Sequence, residues 1–145
     1  MDCISYKKGY KYQLTATYRL KIGIRPLEHI LTTYIDLTPI GWLIIRKGYA
    51  WDGPSGPTFD TLNFMRGSLV HDAIYQLIRQ GFLSPEYRDI ADRLLQDICR
   101  EDKMCKARAW WVYEGVYFGG KSAADPANKK KVIRAPKGCK YLYHE

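Results

Sequence analysis

The sequence of 145 residues lacks the features that mark several broad classes of protein. No apolar run approaches the roughly 20 residues that a membrane-spanning helix needs, and no basic-apolar-small leader opens the chain. The four cysteines do not have the spacing of a zinc finger or of a redox motif. These absences predict a protein with reduced thiols in a bacterial-type cytoplasm.

Positive charge is concentrated at the two ends of the chain. Residues 1–26 hold six Lys or Arg and one acid, and residues 119–145 hold seven and two, so each end carries +5. The middle, 27–118, holds ten basic and twelve acidic residues, a net −2. Basic ends favour an anionic partner: nucleic acid, a nucleotide, a cell-wall polymer or an acidic protein. The alternative is a solvated surface without a partner.

Three segments in the first half of the chain have the pattern of β-strands. Residues 11–25 alternate between apolar and polar side chains, which predicts a half-buried strand with a basic outer face. Residues 31–38 and 42–47 predict two more strands. Because the connections are short, the three strands would form an antiparallel sheet.

Three helices are predicted in the second half. The first runs from Asn63 to Gln80, and the second begins at Ser84, an N-cap followed by a proline. The third spans 106–118 and ends at Gly119-Gly120. The sequence therefore predicts an α+β fold, in which a small antiparallel sheet of three or four strands is followed by three helices packed on one face. Residues 1–145 form one domain: 1–60 mainly strands and loop, 61–120 helical, and 121–145 an irregular basic tail.

The candidate functional residues lie in a loop rich in Gly and Pro and in the helices that follow. The loop 48–58 carries Asp52 and Ser55. On the first helix, spacing at 100° per residue places His71, Asp72 and Tyr75 in one polar sector with Ser68 and Arg79. Asp92 lies at the border of the apolar stripe of the second helix, facing a neighbouring helix.

These motifs resemble a small phage and prophage family, catalogued as domain of unknown function 1353. The resemblance rests on Asp52-Gly-Pro-Ser55, His71-Asp72-x-x-Tyr75 and Ala91-Asp92, and it covers roughly residues 40–120. It implies a phage-encoded protein with a small α+β fold, present in the cytoplasm of the bacterial host or in the virion. It implies no particular reaction.

Two kinds of catalytic site fit these residues. Asp52, His71 and Asp92, with Asp72 nearby, could hold one divalent metal ion (Zn²⁺, Mn²⁺ or Mg²⁺) and activate a water for hydrolysis. Alternatively, Ser55 would be a nucleophile with His71 as its base and Asp92 or Asp72 as the orienting carboxylate. Tyr75 would be either a hydroxyl donor in such a site or an aromatic residue of the core. Both hypotheses describe a small hydrolase acting on cell-wall or other anionic material.

The competing hypothesis is a structural clasp. Asp52 and Ser55 would hold loop amides, His71 and Asp72 would attach the loop to the first helix, and Asp92 would tie the second helix to the first. The chain would then be a non-enzymatic phage accessory, virion or host-inhibitor protein that binds an anionic or protein partner. The two hypotheses differ in geometry, since an enzyme needs these groups in a pocket open to solvent.

Overall fold

The computed structural model describes residues 4–6, 11–54, 60–128 and 131–136. Its elements in chain order are eight short strands and three helices. The strands are β1 (Ile4–Tyr6), β2 (Tyr12–Gln13), β3 (Tyr18–Lys21), β4 (Ile30–Leu31), β5 (Ile35–Leu37), β6 (Trp42–Ile45), β7 (Ala50–Trp51) and β8 (Ile133–Ala135). The helices are α1 (Leu62–Arg79), α2 (Arg88–Glu101) and α3 (Lys106–Ala124), with short 3₁₀ turns at Pro85–Tyr87 and Pro126–Asn128. The predicted α+β fold is confirmed, with three helices after an antiparallel sheet.

The main sheet has four antiparallel strands in the order β3-β6-β5-β4. Two further pairs, β2 with β7 and β1 with β8, are also antiparallel. The predicted single strand over 11–25 is therefore wrong in one respect, because it is divided between β2 and β3. The chain bends at 15–16 as it changes its hydrogen-bonding partner from β7 to β6.

One apolar core joins the sheet to the helices. Alternate residues of the strands face inward, including Ile35, Leu43 and Ile45, and none of these exposes more than 1% of its surface. They belong to the same buried cluster as Val70 and Ile74 of α1. Burial of apolar surface at about 25 cal/mol per Å² makes this cluster the main source of stability.

The helices pack closely where small residues allow it. A Cβ atom on Gly67 of α1 would lie 3.0 Å from Sγ of Cys99 on α2, so the glycine lets these two helices approach. Cys99 is buried and its thiol is free, as is the exposed thiol of Cys105. Burial raises the pKa of the Cys99 thiol to about 11.

Gly119 and Gly120 do not end the third helix, which corrects the prediction from sequence. The helix continues to Ala124. Gly120 is buried, and a Cβ atom there would lie 3.0 Å from Cε2 of Tyr75 and still closer to its hydroxyl. This glycine is therefore a point of close approach between α3 and α1. The expected irregular tail is also partly regular, since β8 lies within it.

Candidate functional site

The polar side chains of α1 and α2 meet at Asp92. The Tyr75 hydroxyl donates a hydrogen bond of 2.6 Å to Oδ1 of Asp92. His71 Nε2 lies 2.8 Å from the same oxygen. Because an ionised carboxylate can only accept hydrogen bonds, Nε2 carries the proton and donates it. The predicted convergence of His71 with Asp92 is thus found, and Tyr75 joins it.

The other nitrogen of His71 also faces a carboxylate. Nδ1 lies 3.8 Å from Oδ1 of Asp72, on the next residue of the same helix. Burial disfavours the charged imidazolium, but the carboxylates of Asp72 and Asp92 favour it more strongly, so the pKa of His71 is raised above its ordinary value. The two carboxylates therefore favour the protonated form of the imidazole that lies between them.

The cluster of His71, Tyr75 and Asp92 is sealed from solvent. His71 exposes 8% of its surface, Tyr75 2% and Asp92 none. Burial, followed by the hydrogen bond to Asp92, raises the pKa of the Tyr75 hydroxyl well above its ordinary value, so this phenol stays neutral. A buried, hydrogen-bonded group of this kind stabilises the packing of its helices.

Arg88 completes the cluster, although sequence reasoning did not single it out. Its Nε lies 3.4 Å from the Tyr75 hydroxyl, and its Nη2 donates to the carbonyl oxygen of Tyr117 on α3 at 3.1 Å. The signal in the sequence was its position four residues before Asp92, which places both on one face of α2. Arg88 thereby connects all three helices around the cluster.

The loop before α1 is attached through a tryptophan. Trp51 Nε1 donates to the hydroxyl of Ser68, one turn before His71, at 3.2 Å. Asp52 is exposed. Ser55, the candidate nucleophile, lies outside the described residues. The structure thus links the loop to α1 through Trp51 and Ser68, and the link through His71 and Asp72 that the clasp hypothesis expected stays a prediction.

The geometry does not assemble the predicted metal site. Within residues 4–6, 11–54, 60–128 and 131–136, no group of three or more His, Cys, Asp or Glu side chains is arranged to hold a metal ion. His71 and Asp92 meet, but Asp52 does not complete such a group with them. The assignment of Asp52, His71 and Asp92 as metal ligands stays a prediction.

A shallow cavity lies beside the cluster, between the start of α2 and the end of α3. Its volume is about 360 Å³, and its walls include Arg88, Asp92, Tyr117 and Lys121. Asp92 borders this cavity, although its surface is not accessible to solvent. Its second oxygen, Oδ2, is buried and accepts no hydrogen bond from the described residues.

Comparison with known proteins found no protein-family model, no curated protein and no solved structure that matches the chain. The resemblance to the phage family and the phage origin it implies therefore stay predictions. In the described part of the chain, no helix is long and apolar enough to cross a membrane.

The outer face of the main sheet is a second candidate surface, and it is basic. On β3, Arg19 and Lys21 alternate with inward-facing residues, and both are exposed. Residues 11–47 carry six Lys or Arg and two acids, a net +4, while residues 60–128 carry nine and ten, a net −1. The positive charge that the sequence placed near the start of the chain thus lies on the sheet side of the molecule.

Proposed function

We propose that this chain is a non-enzymatic binding protein that docks an anionic partner on the outer face of its main sheet. The cluster of His71, Tyr75 and Asp92 serves as a structural clasp between helices. One observation carries the proposal: His71, Tyr75 and Asp92 are buried and contact one another, while exposed cations lie on the sheet.

The state of His71 argues against a role as general base. A base must present an unprotonated nitrogen to the group from which it takes a proton. Nε2 of His71 donates to Asp92, and Nδ1 faces Asp72. The raised pKa of His71 favours the form without a free lone pair, and an exposure of 8% leaves little room for a substrate. The geometry therefore favours the clasp.

The charge on the sheet face supports an anionic partner. Arg19 and Lys21 lie two residues apart on the same side of β3, so their charges reinforce one another. Asp36, the acid of β5 on this face, is buried and forms an ion pair with Arg46, which directly follows the neighbouring strand β6. The surface accordingly presents cations to solvent with little compensating negative charge, which attracts polyanions over a distance of about 10 Å at 0.1 M salt.

Salt-dependent binding tests this proposal. The probes are a fluorescein-labelled heparin oligosaccharide and a fluorescein-labelled oligonucleotide, measured by anisotropy against the full chain. We expect affinity to fall as salt rises, and the double variant Arg19→Ala/Lys21→Ala to reduce the slope of log K against log salt by about 1 to 2.

The matched control removes two charges from the helical side. Lys106→Ala/Lys121→Ala changes exposed lysines at the two ends of α3 and lowers the net charge by the same amount. We expect this variant to keep most of the salt slope. Equal losses in both variants would mean that net charge alone drives binding, and no binding to either probe would overturn the proposal.

A metal-dependent hydrolase is the second candidate function. The observation in its favour is the buried Oδ2 of Asp92, which lacks a hydrogen-bond donor among the described residues. Metal analysis of the purified protein distinguishes the two candidates. Stoichiometric Zn, Mn or Mg that disappears in Asp92→Asn, with the fold intact, would support the hydrolase and contradict the clasp.

A further inference from the structure

Two exposed aromatic rings lie on the same face of the sheet as the cations. Trp42, in β6, is paired with Lys21 of β3, and Tyr34 lies opposite Arg46, whose amide donates to its carbonyl at 2.7 Å. Since side chains alternate along a strand, Trp42 and Ile44 of β6 share the face opposite the core, and Arg46 directly follows the strand. Trp42 exposes 40% of its surface and Tyr34 43%.

We propose that the anionic partner is a single-stranded nucleic acid, whose bases stack on Trp42 and Tyr34 while its phosphates contact Arg19 and Lys21. This inference rests on the proposed function and specifies its ligand. Bases have π faces that stack on aromatic side chains, and the gain depends little on their sequence. A polyphosphate or an acidic protein surface would be held by charge attraction only, without stacking.

The spacing of the two rings favours an unpaired strand. Trp42 begins β6, and the Tyr34 ring lies against Gly48 beyond the other end of that strand, so the rings are separated by roughly the length of β6, about 13 Å. Neighbouring bases of a duplex are stacked at about 3.4 Å and present only their edges in the grooves. A base that stacks on either ring must therefore be unstacked from its neighbours, as bases in single strands can be.

The cations are placed to follow the backbone of such a strand. Lys21 is the cross-strand neighbour of Trp42, and Arg19 lies two residues further along β3, beside Ile44. Cross-strand neighbours have Cβ atoms about 5 Å apart, so a phosphate adjoining a base on Trp42 lies within reach of Lys21. A basic track beside a stacking ring is the arrangement that sequence-tolerant single-strand binding requires.

Arg46 has a different role on this surface. Its guanidinium pairs with Asp36 and donates to the carbonyl of Thr32 at 2.8 Å. These contacts fix the side chain and neutralise much of its charge, although 41% of the side chain stays exposed. We therefore assign the phosphate contacts to Arg19 and Lys21, and we assign to Arg46 the positioning of the hairpin that carries Tyr34.

The test compares a fluorescein-labelled oligo(dT) strand with a duplex of the same length and with heparin, at one salt concentration, by anisotropy on the full chain. We expect the single strand to bind more tightly than the duplex. Trp42→Ala should weaken binding of the single strand about 5- to 150-fold. Trp42→Phe should recover part of the loss, because phenylalanine keeps a stacking face.

Trp111→Ala is the matched control. Trp111 is 53% exposed on α3, so its removal takes a comparable ring from the helical side of the molecule. We expect it to leave binding unchanged, and circular dichroism checks that both variants fold. Equal affinity for duplex and single strand, or an unchanged affinity in Trp42→Ala, overturns the inference.

The outcomes separate this inference from the proposed function. If heparin and both nucleic acids bind alike, and only Arg19→Ala/Lys21→Ala weakens them, the basic face binds polyanions without stacking. If Trp111→Ala rather than Trp42→Ala weakens binding, the ligand docks on α3 and the sheet assignment is wrong. If no probe binds, both the proposed function and its extension fail.

Discussion

The clasp joins the helices, and the candidate binding surface is the outer face of the main sheet. Both contain charged and aromatic residues, but the clasp buries them and the sheet exposes them. In the clasp, His71 and Tyr75 are buried and both contact Oδ1 of the buried Asp92. On the sheet, Arg19 and Lys21 are exposed. Charged groups that satisfy one another stabilise a fold, whereas charges that only water satisfies are available to a partner. Burial, more than residue type, thus separates the structural site from the candidate binding surface.

Removing Asp92 should break the clasp and produce the largest loss of stability. Asp92→Ala leaves the buried Tyr75 hydroxyl without an acceptor and the His71 imidazolium without its nearest counter-charge. We expect the free energy of unfolding to fall by about 3 to 5 kcal/mol, as when one partner of a buried pair is deleted. Denaturant titration followed by circular dichroism measures it.

Asp97→Ala provides the comparison on the same helix. Asp97 is exposed, so its removal should change stability by no more than about 0.5 kcal/mol. Asp92→Asn keeps an acceptor for the tyrosine and should lose less than the alanine variant. Similar small effects in all three variants would show that the clasp contributes little, and the contrast with the sheet face would disappear.

The contact between α3 and the clasp can be tested with two glycines of the same helix. Gly120→Ala places a methyl group against Tyr75 and should destabilise the protein by about 1 to 3 kcal/mol. Gly115→Ala meets open space and should stabilise it by about 0.5 to 1 kcal/mol, because alanine favours helix. Thermal unfolding of both variants gives the sign of each stability change, and two changes of the same sign would contradict the close approach of α3 to Tyr75.

The protonation of His71 predicts a smaller, pH-dependent effect. Because its pKa is raised in the folded state, the stability it contributes is fully present below the unfolded pKa of about 6.5 and is lost as pH rises through the raised value. We expect the difference in unfolding free energy between the wild type and His71→Gln to shrink as pH increases. Tyr75 does not titrate in that window, because its pKa is raised.

Urea titrations at several pH values between about 5 and 9 measure this difference. Arg19→Ala, on the exposed face, serves as the control and should show no comparable change with pH. If the difference in unfolding free energy between the wild type and His71→Gln grew with rising pH, His71 would be neutral in the folded protein. The imidazole could then act as a base, and the hydrolase hypothesis would regain support.

Local sequence signals predicted most of the fold. Periodicity located α1, and the Ser84 hydroxyl accepts a hydrogen bond from the Glu86 amide at 3.3 Å, as expected of an N-cap. The end of α3 was predicted wrongly because a glycine can either end a helix or let two helices approach closely. Which of the two applies depends on the residue that packs against the glycine. Tyr75, 45 residues earlier in the chain, is that neighbour.

The sequence also predicted that His71 and Asp92 would meet, but not that this contact is buried. The polar sector of α1 pointed to His71 and Tyr75, and the border position of Asp92 pointed to the neighbouring helix. Whether that meeting point opens to solvent depends on the packing of α3, which no local pattern encodes. The exposure of the aromatic rings on the sheet could not be predicted either, because a β-strand pattern does not indicate which aromatic side chains a later element covers.

The buried thiol of Cys99 gives the interface between α1 and α2 a chemical property of its own. Its pKa of about 11 means that the reactive thiolate is scarce at neutral pH, and the close helix at Gly67 blocks access to the sulfur. Oxidants and alkylating reagents can therefore reach this atom only while the two helices are apart. The rate of modification at Cys99 would report how often the helical layer opens.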